Sequence, residues 1–96
     1  MALRDRYDFE GLVNEAEASV LEELESQIAN EQGICTCHDC VLDMAALALN
    51  NVRPAYHVSL MGSVYAKSSR TAGQAKEIKK AVREAIERIK AHPSHD

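Results

Sequence analysis

All three cysteines of the chain lie in one stretch of six residues, Cys35-Thr36-Cys37-His38-Asp39-Cys40. An apolar run follows from Val41 to Leu47 and predicts a helix with Asp39 as its N-cap. Cys35 and Cys37 then lie on a loop, and Cys40 lies at the helix start, where backbone N–H groups lower thiol pKa values. The spacing predicts a metal site, and zinc is the expected ion because it prefers tetrahedral sulfur and imidazole ligands.

Three sulfurs leave one position of a tetrahedral zinc site to be filled. The nitrogen candidates are the four histidines of the chain: His38, His57, His92 and His95. His38 lies between two ligands, where ring strain opposes binding to the same ion. We expect His57 as the fourth ligand, although a solvated or partly buried imidazole is the ordinary role of each histidine. Asp43, one turn past Cys40, is expected to support the site by accepting hydrogen bonds.

Other roles for the three cysteines remain open from the sequence. Residues 37–40 form a C-x-x-C motif, which in a thioredoxin-like context would indicate redox chemistry. An iron–sulfur cluster usually takes four cysteines, and isolated buried thiols need no function. A catalytic zinc ion would require a general base nearby, whereas Asp39 is expected to cap the helix.

The remaining pattern predicts a mainly α fold in a single domain, residues 1–96, with three core helices and one short β-hairpin. The predicted elements are a helix at about 8–31 capped by Asp8, a metal loop at 33–40, a helix at about 39–50, a hairpin at about 56–67 and a helix at about 71–91. Gly33 is expected to end the first helix. The long outer helices project apolar stripes past a small core, which predicts a homodimer.

Charge is unevenly distributed along the chain. Residues 1–32 carry a net charge of −7, residues 33–66 carry −1 and residues 67–96 carry +4. The two ends are therefore expected to lie close together, within a subunit or across a dimer. The acidic half argues against binding to duplex DNA. The sequence shows no apolar run of signal-peptide or membrane-spanning length, so we expect a cytoplasmic protein that does not bind membranes and whose thiols stay reduced.

The central sequence resembles the late competence development protein ComFB family. The resemblance rests on the cysteine spacing, on Asp43 to Asn50 in the following helix, on Arg53-Pro54-Ala55-Tyr56, and on Gly62-Ser63-Val64-Tyr65. It extends over about residues 8–90, with the flanking helices similar only in pattern. The resemblance implies a helical, homodimeric bacterial protein that binds zinc through Cys35, Cys37 and Cys40 and has no enzymatic activity.

Some members of that family are receptors for cyclic dinucleotides such as c-di-GMP or c-di-AMP. Such a ligand requires cations for its phosphates and flat groups for its bases. The residues expected to supply these contacts are Arg53, Tyr56, Tyr65 and Lys67. Solvated charges and packed tyrosines are the alternative interpretation. The function is thus expected to be that of a regulatory binding module, with an adaptor protein linked to competence or a thiol redox protein as alternatives, and a protein partner remains open.

Overall fold

The computed structural model describes residues 2–58 and 72–93. Within these residues the chain forms four helices and two short strands. Their bounds are α1 Leu3–Arg6, β1 Val13–Asn14, α2 Glu15–Ala29, α3 His38–Leu49, β2 Tyr56–His57 and α4 Ala72–Ala91. The mainly helical fold is confirmed. No helix in the described residues is both long enough and apolar enough to cross a bilayer.

Helices α2, α3 and α4 pack against one another around one apolar core. Small side chains on α3 and α4 allow these two helices to approach closely, since alanine leaves little bulk between the backbones. The core side chains are Val20 and Leu24 of α2, Cys40, Met44, Ala45 and Ala48 of α3, and Ala81, Val82, Ala85, Ile86 and Ile89 of α4. Cys40 therefore belongs both to the cysteine stretch and to the core.

Helix α2 begins at Glu15 and not at Asp8, which corrects the predicted start of the first helix. The side chain of Asp8 accepts a hydrogen bond from the Glu10 N–H at 2.9 Å and so closes a local turn. Asn14 is the actual N-cap, and its side chain accepts the Ala16 N–H at 3.1 Å. The helix ends at Ala29 with Asn30 as C-cap, and Gly33 adopts its left-handed conformation further along the loop, at φ 70°.

The strand at Tyr56–His57 pairs with β1 near the N-terminus. The pairing is antiparallel, with Val13 opposite His57 and Asn14 opposite Tyr56. The sequence predicts that Tyr56 and His57 belong to a hairpin with residues 63–67, but residues 63–67 lie outside the described residues. A strand pair this short is marginal alone, and backbone contacts with the start of α2 support it, because the Glu15 N–H donates to the Ala55 carbonyl at 2.8 Å.

The predicted helices at about 39–50 and 71–91 are present with small changes in their bounds. Cys37 caps α3 in place of Asp39, because its sulfur accepts the Cys40 N–H at 3.4 Å. Asp39 instead lies in the first turn, where its charge complements the helix dipole. Thr71, at the start of the predicted last helix, lies outside the described residues.

Replacing Asn14 with alanine is expected to destabilise the fold by about 1–3 kcal/mol. Its side-chain oxygen accepts N–H groups from both Ala16 and Ala55, at 3.1 and 2.8 Å, and the substitution leaves both donors without this partner. Urea unfolding would measure the change. Asn30→Ala is the matched control, because the exposed Asn30 side chain only donates to the Ser26 carbonyl. Equal stability of Asn14→Ala and the wild type would contradict this role.

Candidate metal centre

The three cysteines form one compact cluster at the start of α3. The sulfur atoms of Cys35, Cys37 and Cys40 all lie within 4.8 Å of one another. Cys35 comes from the loop after α2, Cys37 caps α3, and Cys40 lies in its first turn. The spacing of three between Cys37 and Cys40 brings them to the same side of the helix end.

The cluster extends from the core to the surface. Cys40 is completely buried, Cys35 is half-buried against the core, and Cys37 is exposed. None of the three forms a disulfide bond. An ion held here would tie the loop after α2 to the buried start of α3.

Hydrogen bonding within the cluster favours the thiolate form of Cys35. The backbone N–H of Cys37, followed by the side chains of Cys37 and Cys40, lowers the pKa of the Cys35 thiol, while partial burial opposes that shift. The cluster also lies at the N-terminus of α3, where the positive end of the helix dipole favours negative charge. Since metals bind the thiolate form, these groups prepare the site for a cation.

The sulfur positions fit a tetrahedral metal ion. Zn–S bonds of about 2.3 Å place neighbouring sulfurs about 3.8 Å apart. The observed limit of 4.8 Å is therefore close enough for small side-chain shifts to bring all three sulfurs onto one ion. The three cysteines together could hold a metal ion.

His57 does not belong to this cluster, which corrects its expected role as fourth ligand. Its Nε2 atom lies 2.9 Å from Oε2 of Glu15, and both side chains are nearly buried. The separation follows from the fold, because the cysteines lie at the start of α3 whereas β2 follows its end. A helix of 12 residues is about 18 Å long. The pairing of His57 with Glu15 has no signal in the sequence, since the two residues are 42 positions apart.

The structure describes three of the other five predicted site residues. Asp43 lies on the exposed surface of α3. Arg53 is exposed, and its Nε atom lies 3.9 Å from Oε2 of Glu77 on α4. Tyr56 is also exposed. Tyr65 and Lys67 lie outside the described residues.

Two cavities border the segment that contains Arg53 and Tyr56. Arg53 lines a small cavity of about 50 Å³ with Pro54 and Glu77. Tyr56 lines an open groove of about 1020 Å³. The apolar residues of this second groove, called here the Tyr56 groove, include Leu12, Val13, Leu21, Leu49, Val52, Pro54 and Tyr56. Several of these side chains are substantially exposed, so the groove presents an apolar surface to solvent.

The carboxylate of Glu31, just after the end of α2, forms ion pairs with α4. One oxygen of Glu31 contacts the guanidinium of Arg83, and the other lies 3.2 Å from Nζ of Lys90. The hydrogen bond from Arg83, then that from Lys90, lowers the pKa of Glu31. The uneven charge along the sequence predicts that the acidic first segment and the basic last segment lie close together, and these contacts join the two segments.

Glu31→Gln is expected to reduce stability at neutral pH and to have less effect in acid. Because the folded-state pKa of Glu31 is lowered, its contribution is fully present above its ordinary value of 4.5 and is lost as the pH falls through the folded-state pKa. Urea unfolding of both proteins over that range would measure a difference that shrinks in acid. Glu84→Gln is the control, since Glu84 forms an ion pair with Lys80 in which both side chains are exposed. A pH-independent difference would contradict this expectation.

The fold and the cysteine cluster together define a class of small, mainly helical proteins with a candidate metal site at a helix start. The family model described as late competence development protein ComFB matches residues 13–93 of this chain. The chain therefore belongs to the ComFB family.

One solved structure supports the same assignment. The chain is similar to the late competence protein ComFB from Bacillus subtilis, with a TM-score of 0.72 and 28% sequence identity. The similarity covers 86% of this chain and 92% of the other. A comparison with curated proteins finds no match.

Proposed function

We propose that this protein is a non-enzymatic regulatory binding module whose fold is stabilised by one zinc ion. The proposal rests on one observation: the sulfur atoms of the three cysteines lie within 4.8 Å of one another, where the loop after α2 reaches the core. Cys35, Cys37 and Cys40 hold the ion, which supplies a structural crosslink and no redox chemistry. A cytoplasmic location fits this role, because reducing conditions keep the thiols free for the metal.

Elemental analysis of the purified protein tests the metal. We expect one zinc per chain, and we expect the zinc content to fall when Cys37 is replaced by serine. Ser26→Ala is a control, because it changes an exposed residue of α2 that is not one of the three sulfur ligands. Metal-free protein with an intramolecular disulfide, under reducing purification, would instead support the thiol redox alternative.

The proposed ligand is a cyclic dinucleotide such as c-di-GMP or c-di-AMP. Arg53 offers a guanidinium for a phosphate, and Tyr56 offers an exposed ring for a base. Both side chains border open space between the β2 segment and the helices. The ion pair of Arg53 with Glu77 is long and exposed, so it costs little to exchange for a phosphate.

Isothermal titration with each dinucleotide tests this ligand. We expect saturable binding that Arg53→Ala weakens at least tenfold, since the substitution removes a bidentate phosphate contact. Arg88→Ala is the matched control. Arg88 is exposed and lies 11 residues from Glu77 on α4, which is about 16 Å along the helix. Absence of heat with either dinucleotide would favour the adaptor alternative.

A homodimer is part of the proposal, with the Tyr56 groove as its contact surface. The groove exposes 47% of Leu12, 44% of Leu21 and 63% of Tyr56. A second copy would cover the part of the groove formed by Leu12 and Leu21, leave the Tyr56 ring for the dinucleotide, and bring acidic and basic segments of two chains together. Light scattering should show a doubled mass that Leu21→Glu reduces. Leu42→Glu changes an exposed leucine outside the groove and should leave the mass unchanged.

A further inference from the structure

We propose that the metal centre has one exchangeable coordination position that takes a neutral nitrogen donor of the imidazole class from outside the chain. The inference rests on the proposed zinc site and concerns its fourth ligand. It follows from the donors that this chain contains and from where the fold places them.

The cluster uses every cysteine of the sequence. The chain has three cysteines, and all three lie within the cluster. A four-thiolate site formed by one chain is therefore excluded.

The other donors of the described residues lie elsewhere. Among residues 2–58 and 72–93, no histidine, aspartate or glutamate joins the three sulfurs. The nearly buried His57 contacts Glu15, and Glu31 contacts Arg83 and Lys90. In the sequence, residues 59–71 contain no cysteine, histidine, aspartate or glutamate. His95 and Asp96 are then the remaining donors of these types.

The burial of the cluster leaves access from solvent. Cys40 closes the cluster on the core side, whereas Cys37 and its neighbours Thr36, His38 and Asp39 are exposed. A small molecule or a side chain of another protein can therefore approach from the surface. Three protein ligands with a fourth, exchangeable position is an arrangement that zinc adopts in proteins.

Charge selects the kind of donor. Three thiolates on a divalent cation leave a net charge of −1, and the exposed carboxylate of Asp39 lies between the ligands in sequence. A fourth thiolate or carboxylate would raise this charge to −2 near Asp39, whereas imidazole adds no charge and completes the Cys3His set that zinc sites use. A neutral nitrogen donor is thus the class that this site fits.

Cobalt substitution tests the inference with the full chain. Co²⁺ replaces zinc in tetrahedral sites, and its visible ligand-field bands report directly on the donors bound. Imidazole titrated into the stoichiometric cobalt protein should shift these bands saturably. The double variant His38→Ala/His95→Ala should show the same shift. Pyrrole, a ring of equal size with no lone pair to donate, is the control and should cause no shift.

The possible outcomes separate this inference from the proposed metal site. Thiolate–cobalt bands that imidazole leaves unchanged in the wild type would overturn the exchangeable position while preserving the metal site. A shift that appears only in the double variant would show that a histidine of this chain fills the position, which also overturns it. Failure to form any thiolate–cobalt bands would overturn both proposals.

Discussion

Removing the metal with a chelator is expected to lower the melting temperature by at least about 12 °C. An ion that binds only the folded protein contributes about 3 kcal/mol when its free concentration is 100 times its dissociation constant, and tighter sites contribute more. For a domain of this size, each kcal/mol shifts the melting temperature by about 4–8 °C. The effect is expected because an ion at the cluster would join the loop at Cys35 to the buried start of α3 at Cys40.

The Cys37→Ser variant provides the control for the chelation experiment. Cys37→Ser replaces an exposed thiol and should leave core packing largely intact, so its loss of stability reports on the metal. Differential scanning calorimetry should show that the chelator lowers the melting temperature of the wild type but not that of Cys37→Ser. Restoring zinc should reverse the change only in the wild type. Equal melting temperatures of the zinc-loaded and chelated wild type would refute a stabilising ion.

Met44→Ala is expected to destabilise the zinc-loaded protein by about 2–5 kcal/mol. Met44 is completely buried in α3, within the core cluster that joins α3 to α2 and α4. Truncation loses the burial of its side chain and leaves a cavity, because close-packed neighbours relax only in part. Urea unfolding under saturating zinc would measure the change without the contribution of metal loss.

Leu42→Ala is the matched control for this core substitution. Leu42 lies two residues away on the same helix, but its side chain is 55% exposed. Its truncation should change the free energy of unfolding by no more than about 0.5 kcal/mol. If both variants lost the same stability, burial of Met44 in the core would not explain its loss, because alanine has a higher helix propensity than either leucine or methionine.

The sequence predicted the parts of the fold that depend on local pattern. The apolar repeat of α3 and of α4 gave helices whose bounds agree with the structure within a few residues. The close cysteine spacing likewise predicted the cluster, because residues so near in sequence at a helix start are near in space. For these helices and for the cysteine cluster, the spacing of nearby residues in the sequence was sufficient to predict the structure.

The errors arose where distant residues determine the structure. Phe9, Leu12 and Val13 continue the apolar repeat of α2, but they are exposed and precede the helix. The helix begins later because Asn14 also binds the Ala55 N–H, 41 residues away. His57 does not lie in the cysteine cluster and instead pairs with Glu15. No periodicity of the sequence records such contacts.

The contacts of Glu31 also fix how α4 is turned about its own axis. Arg83 and Lys90 are seven residues apart, so they lie on one stripe of the helix, and a single carboxylate engages both. Rolling α4 by one residue, about 100°, would carry both cations away from that carboxylate and bring polar side chains towards the core. The Glu31 carboxylate therefore restricts rotation of α4 about its own axis and helps to determine which face of α4 packs against the other helices.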